Sequence, residues 1–242
     1  MRCQPHNTMP SDKTKLSSKK TSGHWKSIQP KLIAGAESGI WDDVLRDYYY
    51  DRLKTRYLDP IEAVRNLHLS KVEEPKGEGF AIVAIQCSLV EFLESCYQGT
   101  NYNYDDATHW LFPEWLKSFL PGANSKNTAR QYTYKNSGKM FISFLTKRDP
   151  FKQYFDGALA KDFYKSVRCG VLHEARTKGT WLIHAKSESS LIVDRAGPDG
   201  PILYRDDFQE GISTFIKNYC AAVPQNILLQ KAFVRKFEHL CI

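Results

Sequence analysis

The chain has 242 residues, 42% of them hydrophobic and 25% charged, which supports a substantial core and excludes a wholly disordered chain. Its net charge of +7 is concentrated in residues 1–31, where seven basic residues stand against Asp12 alone, so the basic balance describes a leader and not the body. Six cysteines without a CxxC pair fit neither a zinc site nor a disulfide framework and point to a reducing compartment. With no signal-like leader and no apolar run of transmembrane length read from the sequence, a soluble cytoplasmic protein that does not engage a membrane is expected.

Residues 1–31 are rich in Ser, Thr and Lys and carry Pro5, Pro10 and Pro30. They are expected to form a basic disordered tail, either solubilising or attracted to nucleic acid without sequence preference. The body is expected to be one domain over 32–242. Trp41, Val44, Leu45, Tyr48, Tyr49, Leu53 and Tyr57 recur at three- and four-residue spacing and predict a helix over 40–66, broken near Pro60. Its tyrosines read as packing rather than a base-stacking platform. Residues 73–79 read as a loop. Residues 80–97 form the most hydrophobic predicted helix, apolar on most sides and therefore central to a bundle. Glu91 within it either marks the edge of the buried face or partners Arg168. Residues 99–136 are polar, aromatic and interrupted by Pro113, Pro121 and Gly122, an insertion with room for a short helix at 109–120. Residues 139–145 are a brief apolar turn or helix.

The stretch 151–179 carries the candidate chemistry. Phe151, Phe155, Leu159, Phe163 and Val167 repeat every fourth residue, as on one face of an amphipathic helix. That helix ends in a polar group of Arg168, His173, Glu174, Arg176 and Lys178. Arg168 can grip a phosphate through two parallel hydrogen bonds, and His173 can move a proton near neutral pH. The plainer reading is a solvated Arg and a histidine favoured by the helix dipole. Five residues of ideal helix turn by about 500°, leaving these two side chains roughly 140° apart. Convergence on one phosphate therefore needs either a helix loosened at Gly170 or a shared cleft between two copies.

Beyond Gly179 the pattern becomes extended. Residues 180–186, 191–195 and 202–204 are β-favoured and separated by turn formers, predicting a small antiparallel hairpin or meander. Helices over 206–222 and 225–240 close the chain. No metal site or cofactor is predicted. Asp194, Asp199 and Lys186 lack the spacing of a metal-dependent nuclease, His109 and His184 read as structural, and Cys169 with His173 has no third orienting group.

The element order, with Arg168 and His173 in SVRCGVLHEAR at a helix end and the apolar AIVAIQCSLVEFLES helix before it, resembles the HEPN superfamily over roughly residues 40–222. These are helical-bundle proteins, many of them metal-independent RNA endonucleases found in bacterial defence and toxin systems. The resemblance implies a mainly α, HEPN-like helical bundle and a homodimer whose two R-x4-H motifs face one cleft. Arg168 would polarise the scissile phosphate and His173 would transfer protons as the RNA 2′-hydroxyl attacks, without a metal. Glu174, Arg176 and Lys178 would bind or orient RNA, or else be solvated residues beyond the helix. A regulatory partner protein fits such a system. Many catalytic members have Asn, Asp or His after the Arg; Cys169 here removes that hydrogen-bonding group. The other function open to such a fold is a non-catalytic RNA- or protein-binding assembly module.

Overall fold

The computed structural model describes residues 12–35, 38–69, 77–103 and 132–241. The protein is mainly helical with small sheets. In chain order the elements are α1 (Ser22–Ile33), α2 (Ser38–Val44), α3 (Asp59–Leu69), α4 (Glu78–Gln98), β1 (Asn101–Tyr102), β2 (Thr133–Tyr134), α5 (Ser137–Lys147), α6 (Gly157–Phe163), α7 (Cys169–Glu174), β3 (Leu182–His184), β4 (Val193–Asp194), β5 (Ile202–Tyr204), α8 (Arg205–Ala222) and α9 (Ile227–Leu240). Among the described residues, π-helical turns lie at Leu45–Tyr50, Lys54–Leu58 and Tyr164–Arg168. The chain divides into two compact units, a division absent from the reading of 32–242 as one domain. One unit comprises Met1–Thr55, Gly99–Thr133 and Ala222–Ile242, and the other Arg56–Gln98 and Tyr134–Ala221.

In the first unit, residues 12–31 depart from the disordered tail that their composition predicts; residues 1–11 lie outside the described residues. Leu16, Trp25 and Leu32 are buried. The Trp25 ring packs edge-on to Tyr48 and against Phe233 and Phe237, and its indole N–H donates to Glu238 at 2.9 Å. One tryptophan among many polar residues is invisible to a compositional average, yet a buried aromatic of this size supplies enough apolar area to order a short helix. Tyr48 and Tyr49 are buried, as the packing reading of the tyrosine face expects. Asn226 caps α9 by accepting from the Leu228 and Leu229 N–H groups.

The second unit holds the motif. Its core is a chain of aromatic contacts: Phe141 stacks on Phe163 at 5.7 Å, Phe163 meets Trp181 edge-on at 5.2 Å, and Phe144 and Phe208 both pack on Phe151. Helix α4 packs against α3, α5 and α7. Contrary to the sequence expectation, α4 is long and apolar enough to cross a membrane by length and composition. Ile82, Val83, Leu89, Val90 and Leu93 are nevertheless buried within the protein, the behaviour of a core helix. Pro60 is the second residue of α3, behind the π turn Lys54–Leu58. A proline there falls in the first turn, where its missing N–H costs no helical bond.

The β segment is not the simple antiparallel meander predicted. Its order is β3-β5-β4, with β5 antiparallel to β4 but parallel to β3. The β4–β5 hairpin follows from its turn-forming link. After β3 the chain instead turns beside α8, where Asp206 N–H donates to Ala185 C=O and Ser187 N–H to the Asp207 carboxylate. It then returns on the far edge of β5, so the buried Ile202 and Leu203 strand sits centrally. The expected insertion over 99–136, including the short helix at 109–120 and His109, lies mostly outside the described residues.

Candidate functional site

The motif helix begins later than its apolar repeat. Phe151–Gln153 is a single 3-10 turn, and α6 starts at Gly157 because Asp156 caps it, its carboxylate accepting the Leu159 N–H at 2.8 Å. Arg195 holds the same carboxylate at 2.7 Å. Together these keep the Asp156 carboxyl below the usual carboxylate range, the cap bond contributing most. Phe155, Ala160, Phe163 and Val167 are buried, and Leu159 is half-buried.

Residues Tyr164–Arg168 widen into a π turn, and α7 carries the chain from Cys169 to Glu174. Ala175 takes the left-handed conformation, φ 54°, and ends the helix. The chain then folds back: Lys178 N–H donates to Ser166 C=O at 2.8 Å and Thr177 Oγ1 to Trp181 C=O at 2.7 Å. Gly170 makes this return possible. A Cβ there would stand 2.5 Å from the Arg176 carbonyl oxygen. Gly170 therefore does not loosen the helix, as its permissive backbone first suggests; it is helical, and its missing side chain admits the returning strand.

Arg168 is half-buried, and its Nη2 lies 3.6 Å from Glu91 Oε2 on α4. Its guanidinium carbon lies 5.4 Å from the centre of the Tyr164 ring. Its Nε is buried without a hydrogen-bond partner. Glu91 also accepts from the Tyr134 hydroxyl at 3.2 Å. Both readings of Glu91 hold: it lies at the margin of the buried face and it partners Arg168. Burial pushes the Tyr164 hydroxyl above its ordinary range, so Tyr164 is a neutral support beneath the cation.

His173 is exposed near the end of α7. Among the described residues, Arg168 meets Glu91 and Tyr164 and not His173. Glu174, Arg176 and Lys178 do come together: Glu174 meets Lys178 at 2.6 Å and Arg176 at 3.2 Å. The Lys178 hydrogen bond, then that of Arg176, lowers the Glu174 carboxyl from its ordinary value. Cys169 is half-buried, while Cys87, one turn before Glu91 on α4, is fully buried, which pushes its thiol to about 12.

The remaining sequence candidates are spread apart. Lys186 pairs with Glu210 at 3.0 Å, whereas Asp194 closes a turn by accepting the Ala196 N–H. His184 is exposed and edge-on to Tyr204. Among the described residues no group of three or more His, Cys, Asp or Glu is placed to hold a metal ion. Sequence reasoning missed a buried network centred on Glu94. That fully buried carboxylate accepts two hydrogen bonds from Arg148, at 2.8 and 2.9 Å, and one from Ser143 at 2.7 Å. The Arg148 guanidinium carbon lies over the Tyr97 ring, 3.6 Å from its centre. No family model matches the chain, and neither does any curated protein or solved structure compared with it.

Proposed function

We propose that the protein is a HEPN-like, metal-independent endoribonuclease that acts as a homodimer. The observation supporting this reading is the succession, on one helical segment, of a held cation and an exposed imidazole. Arg168 is oriented by Glu91 and Tyr164, and five residues later His173 is exposed to solvent. A guanidinium already oriented by its neighbours loses less freedom on gripping a phosphate than a solvated one. Neutral His173 takes the proton of the RNA 2′-hydroxyl as that oxygen attacks the adjacent phosphorus. Arg168 stabilises the charge gathering on the phosphoryl oxygens. The bond to the 5′-oxygen breaks, and that oxygen takes a proton from water or from the imidazole of a second copy. The products are a 2′,3′-cyclic phosphate and a 5′-hydroxyl. An ideal α-helix would put the two side chains roughly 140° apart, and this is the reason for a second copy: the Arg of one and the His of the other meet across a shared cleft.

The test is incubation with single-stranded RNA in excess chelator, with end-group analysis of the products. The wild type yields cyclic-phosphate ends, and Arg168→Ala and His173→Ala each lose this activity while keeping their fold. Cleavage that stops with chelator, or persists in both variants, overturns the reading. One observation favours a non-catalytic RNA- or protein-binding module instead. Arg168 is already ion-paired, and Cys169 offers no strong hydrogen bond beside it. Intact folding with no cleavage of any RNA selects that module.

A further inference from the structure

The cations expected to hold RNA beyond the motif, Arg176 and Lys178, share the Glu174 carboxylate. The same helical segment carries a second set of cations on the other side of Arg168. Lys161 and Lys165 are four residues apart, both exposed, and therefore neighbours on one helix face. Lys139 at the start of α5 is also exposed, on a helix that packs against this segment. It follows Gly138, where a Cβ would meet the Tyr164 ring at 3.0 Å, and Phe141 packs on the same ring at 5.6 Å. Among the described residues none of these three lysines has a carboxylate within ion-pair distance. Asp162, the acid closest in sequence, is engaged by the Trp181 indole N–H at 2.7 Å and the Ser166 hydroxyl at 2.9 Å.

The contrast between the two cation groups is one of compensation. The loop after the motif carries two cations around one anion, whereas the face before it presents three ammonium groups and no paired anion. Exposed ammonium groups without an ion-pair partner suit a backbone of regularly spaced phosphates, which they bind without reading sequence.

We propose that Lys139, Lys161 and Lys165 form a phosphate-tracking face for single-stranded RNA. This face leads the strand to Arg168, and the Arg176–Lys178 loop is not the principal RNA contact. The inference rests on the RNA-directed reading above but not on catalysis, because it concerns binding alone. It assigns most of the salt-dependent affinity to three residues that the motif does not contain.

The test uses the full chain with His173→Ala, so that cleavage does not obscure binding. Fluorescence anisotropy follows a labelled short single-stranded RNA over a salt series. Lys161→Gln with Lys165→Gln should weaken binding about tenfold at low salt and flatten the salt dependence by about 0.7 per lysine in log–log slope. Adding Lys139→Gln should extend both effects, whereas Arg176→Gln with Lys178→Gln should change affinity less than twofold. Circular dichroism confirms that each variant is folded. Equal affinity of the lysine variants and their parent, a larger loss from the loop variants, or binding to anionic vesicles but not to RNA would overturn the proposal. Cleavage by the wild-type chain is scored separately. A protein that binds through these lysines but never cuts retains this face and loses the nuclease assignment. One that cuts with the lysines replaced and its affinity unchanged does the reverse.

Discussion

Arg168 Nη2 stands 3.6 Å from Glu91 Oε2, with both side chains under a fifth exposed. This ion pair joins the helix bearing the candidate chemistry to the most apolar helix of the chain. Such a pair is worth more than a surface one but less than a fully buried one. A double-mutant cycle with Glu91→Gln and Arg168→Gln should give a coupling of about 1 kcal/mol in urea unfolding. Strict additivity would mean that Glu91 does not hold the guanidinium.

The Glu94–Arg148 pair should matter more to stability. Glu94 is fully buried, and Arg148 donates to both of its oxygens. Arg148→Ala leaves a buried carboxylate without its cation and should lower the unfolding free energy by about 3–5 kcal/mol. Replacing both residues with apolar ones of similar size should restore part of that loss. Chemical denaturation checks both.

Gly170→Ala should loosen the return of the chain after the motif. The added methyl would press on the Arg176 carbonyl oxygen at 2.5 Å, an overpacking cost of about 1–3 kcal/mol. Proteolysis near 175–179 should accelerate in this variant. An unchanged cleavage pattern would mean that the return loop does not depend on the glycine.

Acid should weaken the first unit through His239. Burial, with a smaller push from Lys236, lowers its imidazole to about 4. A histidine whose folded pKa lies below its unfolded value contributes stability above the unfolded pKa, near 6.5. That contribution is lost as pH falls from about 6.5 toward 4. Melting temperature should therefore drop across this window, and His239→Phe should flatten the drop. An identical pH profile in the variant would contradict this.

What could be read from the sequence was local. The period of α4, the helices α8 and α9, and the turn between β4 and β5 each follow from residues within a few positions of one another. Features that depend on distant partners were hidden. Glu94 looks like an ordinary exposed glutamate until Arg148, 54 residues away, reaches it. Trp25 looks like a stray aromatic in a polar leader until Phe237 and Glu238 close on it. The order of β3, β5 and β4 depends on hydrogen bonds from Asp206 and Ser187 that no turn signal encodes. At the candidate site, the residues of the motif were legible, but the pairing of Arg168 with Glu91 was left open. The neutralisation of Glu174 by two cations and the compensating role of Gly170 required the fold.

The most direct measurement is complementation between two inactive chains. Arg168→Ala and His173→Ala are expressed separately, mixed under conditions that exchange subunits, and assayed for RNA cleavage in chelator. If the Arg of one copy and the His of the other serve one cleft, the mixture regains activity that neither variant has alone, a substantial fraction of the wild-type rate. If the mixture stays as inactive as its components while subunit exchange is verified, the shared cleft is contradicted.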